Sequence, residues 1–155
     1  MMNCLNFRRI EIDDKQQAEE CLKRSGYRGS EYTFGNNFVW RNFYNVEICF
    51  HGDLYFTKQG SGNKTRFVYP AGRERYDSDE KNNADIKYAV DLIVDYAHQN
   101  NLPVKIYANA FIAERIAKLY SDSIIRLERD FCDYIHLAEN LETLKGKKLH
   151  SKRNH

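Results

Sequence analysis

The sequence predicts an α+β domain with helices flanking one mixed sheet, and three observations carry that expectation. The chain has 155 residues, of which 42% are hydrophobic and 14% aromatic. That is one ordinary domain, able to bury roughly 68–70% of its unfolded surface, and too apolar to be disordered. Between Val46 and Tyr69, alternating stretches separated by turn-forming residues predict an antiparallel meander. Beyond it, apolar residues at helical spacing lead into the short β-branched run Val104–Tyr107. Antiparallel strands followed by strand–helix–strand connectivity put both pairing types in one sheet.

Taken in order, Phe7 to Ile12 predicts a first strand. Asp13 or Asp14 caps a helix, with Gln16 or Gln17 three residues on in capping-box fashion. Ala18, Cys21, Leu22 and Ser25 form its stripe, and Gly26 ends it. The aromatic-rich segment from Ser30 to Tyr44 predicts a second short helix over Asn37 to Phe43. Val46, Ile48 and Phe50 alternate with Glu47, Cys49 and His51, the period of a half-buried strand. Gly52-Asp53 turns the chain into Leu54–Thr57, and a glycine-rich loop at Gln59–Asn63 leads to Thr65–Tyr69, ended by Pro70 and Gly72. Arg73 to Asn83 is polar and predicts a loop. Ile86, Ala89, Val90, Ile93, Val94 and Ala97 share one helical face, stopped by Asn100-Asn101 and Pro103. Val104–Tyr107 is then a candidate central strand, a helix starts near Asn109, and Ser123–Leu127 and Tyr134–Leu137 predict two closing strands.

No apolar run approaches the ~20 residues that span a membrane, and MMNCLNFRRI lacks a signal-peptide core. The expectation is a cytoplasmic protein, at most peripheral to a membrane. Cys4, Cys21, Cys49 and Cys132 are scattered without a close pair, so no metal site is expected and the cysteines read as small core hydrophobes.

The last 23 residues stand apart. Tyr134–Leu137 is strand-like; Asn140 is a candidate N-cap, Leu141 and Leu144 share one helical turn, and Gly146 suits its end. Residues 145–155 carry Lys145, Lys147, Lys148, Lys152 and Arg153 without an acid. The chain has 24 basic and 22 acidic residues, and without these five the balance falls from +2 to −3. The positive charge thus belongs to the tail, which is either a phosphate or nucleic-acid grip or a solvated terminus.

The pattern Asp133-Tyr134-Ile135, then Leu141-x-x-Leu144-x-Gly146-Lys147-Lys148-Leu149-His150-x-Lys152-Arg153-Asn154-His155, resembles a motif of the phosphatidylglycerol lysyltransferase C-terminal-like family. Asn37-x-x-Trp40-Arg41-x-x-Tyr44-x-Val46 and the Tyr69-Pro70-Ala71-Gly72 turn resemble it too. Members are similar to tandem N-acetyltransferase-like (GNAT-like) domains related to the Fem aminoacyltransferases. The resemblance implies a GNAT-like fold and one domain over residues 1–155, the N-terminal half of a longer tandem protein, with 145–155 as a basic junction.

It also implies an acyl or aminoacyl transferase half acting on an amine, alcohol or lipid headgroup. The other half would hold acyl-CoA or aminoacyl-tRNA, and this domain no cofactor. Lys147, Lys148, His150, Lys152 and Arg153 would grip an acidic substrate or tRNA. Trp40 and Arg41, with Tyr44, would form a stacking surface, although a buried anchor is the commoner role for a lone Trp. The stretch Arg73–Glu80, where such a fold cradles a CoA pyrophosphate, has no glycine and several acids. Gly60 and Gly62 read as a plain turn. No acid–base or nucleophile spacing identifies a catalytic residue; His98 suits a helix end, and Asp91 and Asp95 a solvated helix face. Two rival expectations are a non-catalytic module binding RNA or an anionic surface through the tail, and a homodimer in which two copies mimic the tandem pair.

Overall fold

A computed structural model describes residues 4–74, 77–129, 132 and 138–143. Among the described residues five strands form one sheet in the order β1-β2-β3-β4-β5: β1 (Arg8–Arg9), β2 (Glu47–His51), β3 (Leu54–Gln59), β4 (Arg66–Ala71) and β5 (Ile106–Tyr107). The first four pair antiparallel, and β5 lies parallel to β4 with Phe67 opposite Ile106 and Val68 opposite Tyr107. The helices are α1 (Lys15–Ser25), α2 (Phe34–Val39), α3 (Asp79–Gln99), α4 (Ala110–Leu119) and α5 (Ala138–Thr143). This is the expected mixed α+β architecture, a GNAT-like sheet flanked by helices.

Both faces of the sheet are covered. Cys49, Leu54, Phe56, Phe67 and Tyr69 pack with Ile86, Val90, Ile93 and Ile112 of α3 and α4. Ile48, Tyr55 and Ala71 pack with Ala18, Cys21 and Leu22 of α1 and Phe34 of α2. Alternate residues of β2 and β3 therefore feed two cores, and β2 is not the half-buried strand its alternation suggests. Each fully buried Ile or Phe contributes about 1.5–3 kcal/mol. Burial also pushes the Cys49 and Cys21 thiols up. Cys4 and Cys132 are exposed, so only two of the four cysteines serve as core hydrophobes.

The helix boundaries follow local chemistry. Gly26, at φ 63°, closes α1 in the left-handed region as expected. The second helix starts three residues earlier than Asn37, because Thr33 Oγ1 accepts from the Asn36 amide; residues 40–45 are turn. The first strand shrinks to Arg8–Arg9, since a 3-10 turn already begins at Ile12. β4 runs on through Pro70, which the sheet tolerates because its register with β3 shifts between Tyr55 and Thr57.

The expected loop at 73–83 gives way to helix at Asp79, where Ser78 Oγ caps the Lys81 amide. The first turns of α3 are polar, with Asp79, Glu80 and Lys81 exposed and Asn82 buried, so hydrophobic periodicity does not mark them. Asn109 caps α4 as expected. Val104–Tyr107 reduces to two paired residues, bonded among the described strands to β4 alone, so it is not central there. Ser123–Leu127 forms no strand among the described residues, and Ile124, Ile125 and Leu127 are exposed. Asn140 lies inside α5, which begins at Ala138, rather than capping it. Tyr134–Leu137, Leu144 and Gly146 lie outside the described residues. No described helix is long and apolar enough to cross a membrane.

Candidate functional site

β4 and β5 pair over only two positions, after which β4 continues and β5 yields to α4. The parted carboxyl ends open a cleft of about 440 Å³ between them and the amino-terminal turns of α3 and α4. The outer ends of parallel strands are where folds with such connections receive ligands. Tyr69, Arg73, Glu74, Asp85, Asn109 and Phe111 are among its walls. A hollow of about 490 Å³ lies along Ile12–Lys23, but it is an open depression beside exposed charges, away from the strand ends.

Arg73 organises the cleft. Its Nε donates to Asp53 Oδ2 at 3.0 Å and its Nη1 to Asp85 Oδ1 at 2.6 Å, and it lies over the Tyr88 ring. These bonds hold the Asp53 carboxyl below the usual range and raise Arg73 further. Asp85 Oδ2 is buried without a hydrogen-bond partner. Among the described residues the charged side chains on the cleft wall are thus one arginine, already paired, and two carboxylates. Tyr69 is buried, and burial pushes its phenol well up, so it stays neutral.

The rim is fixed by Gly72. Its amide donates to Ser25 Oγ at 2.6 Å and its carbonyl accepts from Arg24 Nη1 at 3.3 Å, tying α1 to the end of β4. The start of α3 carries its own acids, Asp79 and Glu80. Arg115 binds Asp79 at 2.5 Å and Asn83 at 2.9 Å while lying over Phe111.

Among the residues singled out from sequence, Trp40 and Arg41 are adjacent, but neither lines the cleft. Trp40 is 47% exposed, so it is no buried anchor. Its ring meets Phe43 and Tyr44, each at 5.9 Å. Arg41 stacks on Phe38 at 3.8 Å and donates to the Phe38 carbonyl. Lys147, Lys148, His150, Lys152 and Arg153 lie outside the described residues. Asp95 is exposed, but Asp91 is not merely solvated: it accepts from Lys87 and, at 2.6 Å, from the Tyr120 hydroxyl. His98 closes α3 as expected. Among the described residues no three His, Cys, Asp or Glu gather as a metal site would require. Arg73 and Asp85 carry no sequence signal of their own, since both lie in or beside the polar stretch 73–83; the Tyr69-Pro70-Ala71-Gly72 turn is the feature that points to this corner.

Residues 22–155 match the family described as phosphatidylglycerol lysyltransferase, C-terminal. The chain belongs to that family. A solved structure, described as a conserved protein of unknown function from Bacteroides thetaiotaomicron VPI-5482, superposes with a TM-score of 0.75 at 22% identity. It covers 97% of this chain, while this chain spans 48% of it, about half its length. At that identity the likeness shows the fold alone. No curated protein matches. As a member of the lysyltransferase C-terminal family, the chain places the Tyr69–Gly72 turn at the cleft rim, Trp40 and Tyr44 exposed, and Arg41 half-buried beneath them.

Proposed function

We propose that this chain is the half of an acyl or aminoacyl transferase that shapes the acceptor cleft and does not itself hold CoA. The observation that carries the reading is the cleft at the carboxyl ends of β4 and β5 in a member of a lysyltransferase family. The acceptor is an amine, alcohol or lipid headgroup. A second GNAT-like half supplies acyl-CoA or aminoacyl-tRNA. Lys147, Lys148, His150, Lys152 and Arg153 grip the acidic substrate or tRNA between the halves, at physiological salt where phosphate contacts still count. The acids at the start of α3 repel a pyrophosphate, which supports leaving CoA to the other half.

The test is transfer by the full-length gene product with two variants. Ala110→Trp fills the cleft from an exposed position on α4. Replacing Lys147, Lys148, Lys152 and Arg153 by alanine removes the grip. Each should abolish transfer with Tm nearly unchanged; undiminished transfer in either removes the corresponding role.

A second reading, a homodimer whose two copies stand in for the tandem pair, is favoured by the apolar Ile124, Ile125 and Leu127, exposed at 79%, 54% and 87%. Sedimentation at high concentration should then show dimer, and a monomer throughout would dispose of it.

A further inference from the structure

In the cleft, one guanidinium stands against two acids. Arg73 meets Asp53 through Nε at 3.0 Å and Asp85 through Nη1 at 2.6 Å, and its guanidinium carbon lies 5.1 Å from the centre of the Tyr88 ring. Its charge is therefore shared, and half of Asp85 stays unanswered. Oδ1 takes the arginine, while Oδ2 is buried without a hydrogen-bond partner. Among the described residues that line the cleft, Asp85 alone carries such an atom. A carboxylate oxygen taken out of water with no donor is costly, and a ligand N–H arriving through the cleft offsets that cost.

The remaining walls say what should carry that N–H. Tyr27 and Tyr69 meet edge to face at 6.1 Å on one side, and Phe111 comes from the first turn of α4. Glu74 adds an exposed second carboxylate. Arg24 is near, but it donates to the Gly72 carbonyl and does not line the cleft. Ring faces carry partial negative charge, so rings beside a carboxylate favour an organic cation. Charge-assisted bonds to the carboxylate then fix its position.

We propose that the cleft recognises a primary ammonium group on an apolar or aromatic body, with an N–H donated to Asp85 Oδ2 and the body among Tyr27, Tyr69 and Phe111. This inference rests on the acceptor-cleft reading above and narrows it to the amine. An alcohol brings no charge to offset the second acid, and a phosphate-bearing headgroup brings charge of the wrong sign. Aliphatic amines titrate near the ~10.4 of a lysine side chain, so they arrive at neutral pH as the cation.

The test is calorimetric titration of the full-length gene product with phenethylamine, its neutral counterpart 2-phenylethanol and the anion phenylacetate. Phenethylamine should bind at least about tenfold more tightly than the alcohol, and phenylacetate weakest of the three. Asp85→Asn keeps an oxygen for Arg73 and should weaken phenethylamine roughly ten- to hundredfold while leaving 2-phenylethanol unchanged, which locates the binding in this cleft. Glu74→Gln, at an exposed position, should weaken it by about two- to fivefold. Equal affinity for amine and alcohol, preference for phenylacetate, or phenethylamine binding indifferent to both variants would each overturn the proposal. Amine binding lost in Asp85→Asn, beside transfer undiminished in Ala110→Trp, would keep this site and remove the acceptor role. Transfer lost in Ala110→Trp with no preference for phenethylamine would keep the acceptor role and overturn the amine.

Discussion

Gly72→Ala should destabilise the fold by about 4 kcal/mol, the sum of a strained backbone and a forced contact. Gly72 has φ 136°, a conformation side chains rarely adopt, and an added Cβ would stand 1.9 Å from the Asp53 carbonyl oxygen and 2.9 Å from its carbon. Both obstacles are backbone, so no side chain can swing aside. The residue also holds Ser25 and Arg24 of α1, and relieving the clash means loosening those bonds. For a chain of this size the loss corresponds to a fall in Tm of roughly 8–16 °C. Gly35→Ala is the control: it lies in α2 with nothing within 4 Å of the added carbon, and should be neutral or stabilising by about 0.5–1 kcal/mol. Thermal unfolding followed by circular dichroism decides it. A shift of a degree or two in Gly72→Ala would mean the strand end has room to give.

The second large effect lies at the other edge of the sheet. Asp14 is buried and receives both Arg8 nitrogens, at 2.9 and 2.5 Å, together with the Glu11 amide at 2.8 Å. Asp14→Ala removes charge-assisted bonds and leaves the Glu11 amide without its acceptor, at a cost of about 2–3 kcal/mol. Arg8 is half exposed and finds water, which keeps the loss from being larger. The Arg8 bonds also hold the Asp14 carboxyl below its ordinary value of 3.8. A carboxyl whose folded pKa is depressed contributes fully above its unfolded value, and that contribution fades as pH falls through the folded one. Denaturant melts from pH 7 downward should therefore show the native chain and Asp14→Ala furthest apart near neutrality and converging below about pH 4. A gap that persists unchanged at pH 2 would make the loss one of packing rather than charge.

Much of this architecture was legible because its strongest elements obey one period each. The i, i+3, i+4 spacing of Ile86, Ala89, Val90, Ile93 and Ala97 survives into the α3 core. Gly26 and Asn109 mark ends by backbone chemistry that depends on no distant partner. The misreadings share a cause in tertiary context. β2 alternates on paper as Val46, Ile48, Phe50, yet Cys49 is buried along with Ile48, since α3 covers the face that composition left to water. The first turns of α3 are polar whether exposed, as Asp79 and Glu80 are, or buried, as Asn82 is, so hydrophobicity could not reveal them. The cleft was invisible in principle: Arg73 and Asp85 are partners only because α3 folds back over β4. The exposed cluster of Trp40, Phe43 and Tyr44 was half visible, in the density of aromatics from Tyr32 to Tyr44. What no linear count could show is that Arg66, from another strand, would lie over Tyr44.

The parallel pairing of β4 with β5 has a kinetic consequence. The hairpins joining β2, β3 and β4 close over short loops, and pairings of that kind form early. β5 can reach β4 only after the whole of α3 has crossed the sheet, a longer closure with a larger entropic barrier. The meander therefore has the means to assemble first, while the cleft waits for β5 to arrive. An occupant of the cleft would bind only the completed arrangement, and by mass action would stabilise all of it. Protection of the Phe67 amide, which donates to the Lys105 carbonyl at 2.8 Å, would then measure both how far folding has gone and whether the cleft is occupied.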